Sequence, residues 1–400
     1  IVGAGMVGLT LGCALAGAGL RVAVIDRTDP DALASDHFDG RATSIALGGR
    51  RVLGGIGVWR DLEAYACPID DIRVSDADSR LFLHYDHVEV GDEPLGYMAE
   101  NRHIRRALTD RATSLDCLWL RAPARLEAVH RSPDEARLQL DDGTTVTAEV
   151  VLACDGKGSG LRRAAGIPAT EWRYRQTGIV CTVVHERPHR NVAHERFLPA
   201  GPFAILPLVD DEAGRHRSSL VWTEREAVAP AMLALDDRQF TDEVARRFGD
   251  FLGAVGVTGP RWSYPLSLYH AGRYVGRRLA LVGDAAHAIH PIAGQGFNLG
   301  LRDIAALAEI LVDTRRLGLD IGSAEVLRRY ERWRRFDNTV LMFVTDGLNR
   351  LFSNDIAPLR LARDAGLAVV NELPPLKRYF MRHAMGLVGK LPRLVEGRSL

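Results

Sequence analysis

Three separate segments of the chain combine glycines with an aspartate, the residue types that bind nucleotide phosphates and sugars. The first is the GxGxxG pattern from Gly3 to Gly8, and Asp26 follows it. The second is Asp155-Gly156, and the third begins at Gly283-Asp284. Glycines let backbone amides approach a pyrophosphate, and a carboxylate accepts hydrogen bonds from sugar hydroxyls. The three segments therefore predict one dinucleotide site.

Each of these segments follows a predicted strand. Residues 1–2, a helix through Ala16 and a strand over residues 21–25 form a βαβ unit of a parallel sheet. Asp26 ends that second strand, where it can accept hydrogen bonds from an adenosine ribose. Buried apolar strands over residues 150–154 and 278–282 precede the other two segments, and a helix is predicted from about Gly296.

The rest of the chain predicts two further regions. Short β-like runs between residues 178 and 269 indicate a mostly antiparallel sheet in a separate domain. Because the first pattern returns at residue 278, we expect the two domains to be interleaved along the chain. From Ser323 onward the sequence is helical and rich in arginine.

Composition excludes several classes of function. The 51 Lys and Arg residues equal the 51 Asp and Glu residues in number, so no overall charge attracts nucleic acid. The five cysteines form no CxxC pair, which predicts a reducing compartment without disulfides or structural zinc. The uncharged residues 1–20 contain six glycines and no preceding basic stretch, so they predict neither a membrane span nor a secretory signal. We expect a cytoplasmic protein.

In this order and at these separations, the three segments resemble those of the FAD-dependent aromatic hydroxylases with the para-hydroxybenzoate hydroxylase fold. Residues 39–47 and 100–105 strengthen the resemblance. Residues 352–355 and 373–377 narrow it to the ubiquinone-biosynthesis hydroxylases, which act on polyprenylated phenols. The resemblance covers essentially the whole chain.

That resemblance implies an α/β fold in which a Rossmann-like FAD-binding domain is interleaved with an antiparallel-sheet substrate domain, followed by a helical C-terminal region. The expected bounds are 1–64, 101–177 and 273–312 for the FAD-binding domain, 65–100 and 178–272 for the substrate domain, and 313–400 for the helical region.

The resemblance also implies which residues bind FAD noncovalently. Gly3, Gly5, Gly8 and Asp26 would hold the ADP half, with Arg41 and Asn101 near the pyrophosphate. Asp284 would bind the ribityl chain and diphosphate region, and Pro291, Gly294, Gly296 and Asn298 would border the isoalloxazine ring. Asp155 is linked in this family both to FAD and to the nicotinamide donor.

The implied reaction uses NAD(P)H to reduce FAD and molecular oxygen to hydroxylate an aromatic ring, here that of a prenylated phenol. A partly deprotonated phenol reacts more readily, so a base or proton relay is expected beside the ring. His287 and His290 are the nearest candidates by sequence, and Pro291 completes the expected catalytic set. The alternative is that both histidines only position their turn. They are not read as a metal pair, because no further ligands stand at a suitable spacing.

Two other functions fit the same motifs. A flavin-dependent reductase of this fold would place no oxygen in its product. A non-catalytic FAD-binding scaffold would serve a biosynthetic complex, although the intact motifs argue against it.

The C-terminal segment indicates a peripheral contact. Residues 373–395 contain Lys377, Arg378, Arg382, Lys390 and Arg393 but no acid. Leu376, Tyr379, Phe380, Met381, Met385, Leu387, Val388 and Leu391 are interleaved with them. A helix with one apolar face could lie on the inner membrane or bind a partner in a biosynthetic complex. In the alternative, the apolar residues close the protein's own core. The sequence does not predict an oligomeric state.

Overall fold

The structure is a computed structural model of the 400-residue chain, and it describes residues 1–33, 35, 37–76, 82–289, 295–352, 363, 366 and 369–400. His290, Pro291 and Gly294 of the expected site lie outside the described residues, as do residues 353–355.

The described helices are distributed along the whole chain and are named in chain order. They are α1 (Met6–Gly17), α2 (Pro30–Leu33), α3 (Leu47–Gly55), α4 (Trp59–Leu62), α5 (Asn101–Thr113), α6 (Gly160–Ala164), α7 (Ala229–Leu233), α8 (Asp237–Phe248), α9 (Gln295–Arg316), α10 (Ala324–Phe352) and α11 (Pro374–Ala384).

The strands are named in the same way. They are β1 (Val22–Ile25), β2 (Ala42–Ala46), β3 (Ala66–Ile69), β4 (Asp71–Asp76), β5 (Phe82–Asp86), β6 (Gly96–Glu100), β7 (Leu118–Arg121), β8 (Leu126–Arg131), β9 (Ala136–Leu140), β10 (Thr145–Ala148), β11 (Val151–Ala153), β12 (Ala169–His185), β13 (Val192–Leu198), β14 (Gly201–Leu208), β15 (His216–Arg225), β16 (Val255–Ala271), β17 (Val275–Gly276), β18 (Leu279–Leu281) and β19 (His287–Ala288).

A parallel sheet carries all three glycine-rich turns. β7 pairs with β1 and β11 pairs with β18, both in parallel, and Val2 bridges the two pairs through Ile25 and Ala153. β11 and β18 are short, wholly buried apolar strands, as expected when helices cover a parallel sheet. α1 packs closely because a Cβ atom on Gly12 would lie 3.1 Å from side-chain atoms of Leu118 and Val24. Gly12 therefore serves helix-to-sheet packing.

A second, eight-stranded sheet has the order β19-β16-β12-β15-β14-β13-β4-β5. Its pairs are antiparallel except for β13 and β4, which run in parallel. Because side chains alternate along a strand, the sheet has two distinct faces. One face places Phe203 and Trp222 against Phe240 and Phe248 of α8 in an apolar cluster. The other face turns towards the glycine-rich turns.

β17 pairs antiparallel with β18 at the edge of the first sheet, and the other strands form two smaller antiparallel sheets. β8, β9 and β10 form one of them, with the turn at residues 141–143 that the sequence predicts. β2, β6 and β3 form the other, so strands from both expected domains combine in it. The exact domain bounds stay a prediction.

The C-terminal segment does not present a single apolar face. Met381 and Met385 are buried against Leu47 and Leu95, whereas Leu394 and Val395 belong to the main core. Leu376, Tyr379 and Phe380 are exposed. The alternative in which apolar residues close the protein's own core therefore holds for the four buried residues, and the peripheral contact stays a prediction. Among the described residues, no helix has both the length and the apolar sequence needed to cross a bilayer.

Candidate active site

A cavity of about 480 Å³ separates the glycine-rich turns from the large sheet. Gly5, Asp284 and Gly296 line one side of it. The opposite side consists of residues from β13, β14, β15 and β16 that share one sheet face: Glu195, Pro202, Ala204, Leu206, Val221, Thr223 and Tyr264. The cavity thus joins the predicted dinucleotide turns to a mostly apolar wall, as expected for a binding site.

The first turn is shaped for close backbone approach. Gly3 has φ +105°, and a Cβ atom there would lie 2.3 Å from the Cys154 carbonyl oxygen. A Cβ atom on Gly8 would lie 1.8 Å from the Gly3 carbonyl oxygen, whereas one on Gly5 would meet nothing within 4 Å. No side chain caps the N-terminus of α1. Its first amides and the positive end of the helix dipole can therefore bind an anion.

Asp26 holds this turn in place. The Ala4 amide donates to Asp26 Oδ2 at 2.6 Å, and the Thr28 amide donates to Oδ1 at 2.7 Å. Each carboxylate oxygen keeps further acceptor capacity, so Asp26 can bond a ribose hydroxyl as well.

The second turn contains a buried acceptor with no partner. Asp155 Oδ1 is buried and bonds to no described residue, while Oδ2 accepts from the Leu161 amide at 3.3 Å. A buried carboxylate oxygen of this kind fits a donor group of a ligand. Burial raises the pKa of the neighbouring Cys154 thiol to about 12. The Cys154 thiol therefore stays protonated at neutral pH, which does not favour a redox role.

The third turn is positioned by a buried carboxylate on α9. Asp303 Oδ2 accepts from the Gly283 amide at 3.3 Å and lies 2.5 Å from His287 Nε2. Between these two anchors, Asp284 is exposed to the cavity. The cavity walls displace water and raise the pKa of Asp284, whereas His287 and then Lys157 oppose the shift.

Asp303 is the centre of a larger buried network. Its Oδ1 accepts from Arg334 Nε at 2.9 Å and from Asn338 Nδ2 at 3.1 Å. Burial alone would raise the pKa of Asp303, but His287 and Arg334 hold it well below its usual range. His287 is only 2% exposed and is not among the residues that line the cavity. This geometry favours the alternative in which His287 positions the turn.

The remaining expected residues surround β2. Arg41 is bonded to Asp39 through Nε at 3.0 Å and Nη2 at 2.7 Å, and its guanidinium lies over Trp262. Asn101 Oδ1 accepts from the Thr43 hydroxyl at 2.6 Å. Neither Arg41 nor Asn101 is among the described residues that line the cavity, but Asn101 bonds to Thr43, which does line it.

Asn298 connects α9 to the same strand. Its Oδ1 accepts from the Ala46 amide at 2.8 Å and its Nδ2 donates to the Ser44 carbonyl at 2.9 Å. Because Ser44 lines the cavity, Asn298 shapes the wall beside the glycine-rich turns.

Two buried acids were not selected from the sequence. Glu195 lines the cavity from β13, and Asp303 anchors the third turn. Glu195 could have been found, because strand alternation places it on the same face as Ala193 and Phe197, where an acid interrupts an apolar row. Asp303 stands among the buried residues of α9 and gives a weaker signal, since its partners come from distant segments.

The residues present fit FAD. The Gly3 and Gly8 cradle suits a pyrophosphate, and the orphaned Asp155 oxygen suits a donor. Cβ atoms on Gly5 and Gly296 would meet no atom of the described residues within 4 Å.

Comparison with known proteins also indicates an FAD-binding protein. Residues 1–337 match the family model described as FAD binding domain. Ubiquinone hydroxylase UbiL of Rhodospirillum rubrum is 53% identical over 403 residues, which cover 100% of this chain and 92% of the relative. The 3-demethoxyubiquinol 3-hydroxylase of Escherichia coli is 36% identical over 389 residues, covering 97% of this chain and 98% of the relative.

A solved structure supports the fold. The p-nitrophenol 4-monooxygenase PnpA of Pseudomonas putida superposes with a TM-score of 0.76 at 20% identity, over 97% of each chain. The chain therefore belongs to the FAD-binding-domain flavoprotein family that includes the ubiquinone-biosynthesis hydroxylases. The resemblance and the interleaved α/β fold inferred from the sequence are confirmed.

Proposed function

We propose that this protein is a monooxygenase that hydroxylates the ring of a prenylated phenol in ubiquinone biosynthesis, with FAD, NAD(P)H and molecular oxygen. The observation that carries the proposal is the single cavity shared by the flavin turns and the apolar sheet face. The printed functions of the two relatives, ubiquinone hydroxylase and 3-demethoxyubiquinol 3-hydroxylase, support the substrate class.

Bound FAD would accept hydride from the nicotinamide and supply the oxygen-transfer chemistry. The chain holds the two reactants together and keeps water away. Gly3 to Gly8 and Asp26 would bind the ADP half, and Asp284 and Asp155 would bind hydroxyl groups of the cofactor. Ala204, Leu206 and Val221 would place the substrate ring over the flavin and exclude water from it.

The cavity wall also supports a prenyl tail. Pro202, Ala204, Leu206, Val221 and Phe297 contribute apolar surface, and among the described lining residues there is no arginine or lysine that would bind a benzoate carboxylate. Burial against such a wall stabilises a prenyl tail by about 25 cal/mol per Å² of apolar surface removed from water.

An oxygen-labelling experiment separates the three candidate functions. The purified protein with FAD, NADPH or NADH, a short-chain 2-prenylphenol and ¹⁸O₂ should yield a product that carries one ¹⁸O atom by mass spectrometry. An unlabelled reduced product would support the reductase. If neither the nicotinamide nor the phenol is consumed, the result would support the scaffold. Asp284→Ala should lose FAD and labelled product together, because the cofactor loses its anchor on the third turn.

The proposal includes a membrane contact, for which α10 offers the surface. Phe336, Val340, Phe343, Val344 and Leu351 recur at helical spacing and are all exposed, with Phe336 at 73% and Phe343 at 69%. We call these five residues the α10 stripe. Soluble surfaces rarely leave such a contiguous apolar row uncovered. Exposed Tyr379 and Phe380 of α11 add to the apolar surface of the C-terminal region.

Charge complementarity selects an anionic bilayer as the occupant. Arg332 and Arg335 are exposed next to the α10 stripe, and Arg378 and Arg382 are exposed on α11. On α10, Asp337 and Asp346 are both paired with arginines. Aromatic residues among arginines are typical of surfaces that lie in the lipid interface. Ile289 lines the cavity and packs in one apolar cluster with Leu341 and Met342 of α10, so docking through α10 would bring the cavity close to a lipid-borne substrate.

Liposome flotation tests this contact. Wild-type protein should bind vesicles of phosphatidylglycerol and phosphatidylcholine, and added salt should weaken binding. Phe336→Glu combined with Phe343→Glu should abolish it while FAD stays bound. Leu317→Glu with Leu319→Glu is the matched control, because those leucines are exposed outside the stripe. Equal loss in both double variants, or no vesicle binding by the wild type, would overturn the contact.

Substitutions are preferable to truncation at Leu373. Met381 and Met385 are buried against Leu47, and Leu394 and Val395 lie in the main core. Removing these residues would unfold part of the protein and leave the membrane question unanswered.

A further inference from the structure

Glu195 is a buried acid on the cavity face of the large sheet. It lies in β13, directly opposite Ala204 of β14 and Val74 of β4. Residues directly opposite each other in a sheet share a face, and Ala204 lines the cavity together with Glu195. Only 9% of Glu195 is exposed. The acid therefore reaches the cavity while little of it contacts bulk water.

The surroundings of Glu195 give its carboxyl no partner. Among the described residues, no side chain or backbone amide donates a hydrogen bond to it and no cation pairs with it. Ala193 and Phe197, its neighbours on the same strand face, belong to apolar clusters. Burial raises the pKa of Glu195 to about 7, and no charged group contributes to the shift. Such a group costs stability, so a ligand that satisfies it is expected.

We propose that Glu195 is the general base that accepts the proton of the substrate phenol hydroxyl. The inference rests on the proposed hydroxylase function and assigns the base that such a reaction needs. The phenol O–H bond breaks, its electron pair stays on the phenol oxygen, and a new O–H bond forms on the Glu195 carboxylate. The proton returns when the product hydroxyl is reprotonated, so Glu195 ends each turnover unchanged.

The other titratable groups of the cavity fit this role less well. Asp284 belongs to the third flavin turn, on the opposite wall. Burial raises the pKa of Tyr264 and that of the Cys154 thiol, so both stay protonated and cannot accept a proton. His194 and Arg196 are adjacent to Glu195 in sequence and therefore point to the other face of β13. His287 is turned to Asp303.

The pKa of Glu195 gives the proposal a defined pH dependence. Below about pH 7 the carboxyl carries its own proton and cannot act as a base. Above that pH it is ionised and can accept one. The value of kcat/KM for hydroxylation should therefore rise as the pH increases through about 7 and then level off.

The decisive variant is Glu195→Gln, which keeps the size of the side chain and removes the base. At pH 8 product formation should fall about 10²- to 10⁴-fold, the usual contribution of a general base. The rise of kcat/KM near pH 7 should disappear as well. FAD occupancy should remain, because Glu195 does not hold the glycine-rich turns. Glu224→Gln is the matched control, since Glu224 is a similarly buried glutamate that does not line the cavity.

A binding measurement provides a readout that needs no turnover. We would titrate 2-geranylphenol and its methyl ether into the oxidised holoenzyme and follow the flavin absorbance between pH 5 and 9. The phenol should bind more tightly above pH 7 than below it, whereas the ether, which has no proton to donate, should not. In Glu195→Gln the phenol should behave like the ether.

The outcomes separate this inference from the proposed function. If the wild type forms no labelled product, the hydroxylase proposal itself fails. If the wild type forms product but Glu195→Gln matches it in rate and pH profile, the hydroxylase proposal stands and the role of Glu195 is refuted. Unchanged pH dependence of phenol binding in Glu195→Gln would refute it as well.

Discussion

Asp303 and Glu195 are both buried carboxyls near the same cavity, and their surroundings are opposite. Asp303 is 0% exposed and contacts His287, Arg334, Asn338 and the Gly283 amide. Glu195 is 9% exposed and has no partner among the described residues. The pKa of Asp303 lies well below its usual range, whereas that of Glu195 is raised to about 7.

The difference separates a positioning role from a reactive one. A carboxylate with a full set of partners stays ionised at every physiological pH, so it can only hold its neighbours in place. A buried carboxyl without partners exchanges its proton near neutral pH and is free to bond a ligand. The third glycine-rich turn is thus held by the first kind of group, and the sheet side of the cavity contains the second kind.

The largest expected effect comes from breaking the Asp303 network. Asp303→Asn removes the charge that pairs with Arg334, whose side chain is 0% exposed. Breaking a buried pair in this way costs about 3 to 5 kcal/mol, because the remaining charge is left uncompensated. Urea unfolding of the holoenzyme at pH 8 should show this loss in the free energy of unfolding, together with weaker FAD retention.

Tyr274→Phe is a control for that experiment. The Tyr274 hydroxyl bonds to Asn338 at 3.4 Å and to His270 at 3.0 Å, so it belongs to the network without contacting Asp303. Its removal should cost about 2 kcal/mol, since each of the two hydrogen bonds has a usual net value of about 1 kcal/mol. Similar losses for both variants would mean that the network is stabilised evenly and that Asp303 is not its centre.

The shape of the three glycine-rich turns could be predicted from the sequence because local geometry determines it. A glycine at position 3 or 8 is required by neighbouring backbone atoms, and the parallel strands before each turn appear as short apolar runs. Asp26 and Asp284 follow from the same logic, since Asp26 stands directly after β1 and Asp284 lies in the turn that follows β18. These features depend on residues close together in the chain.

The two carboxyl environments could not be predicted in that way. Asp303 meets Arg334 and His287 only after α9, α10 and the third turn have packed together. Strand alternation marks Glu195 as an acid in an apolar row, but its place on the cavity wall depends on the pairing of β13 with β14 and β4, and sequence alone does not specify that register. His287 was selected as a candidate base because it is close to the turn in sequence, whereas the structure directs it into the core.

The second, smaller effect is a change in the pH dependence of stability in Glu195→Gln. The folded state binds the Glu195 proton more tightly than the unfolded state, because burial raises its pKa from 4.5 to about 7. Between these values the unfolded chain loses its proton first, so the wild type loses stability as the pH rises and the loss is complete above about pH 7. Glutamine does not titrate and escapes this penalty.

In urea titrations, the stability of Glu195→Gln relative to the wild type should therefore grow by roughly 2 to 3 kcal/mol from pH 5 to pH 8. A variant that is more stable yet hydroxylates less is the result expected when an unpartnered acid is kept for reaction. A relative stability that does not change with pH would show that Glu195 is ionised in the folded protein, and its contrast with Asp303 would then disappear.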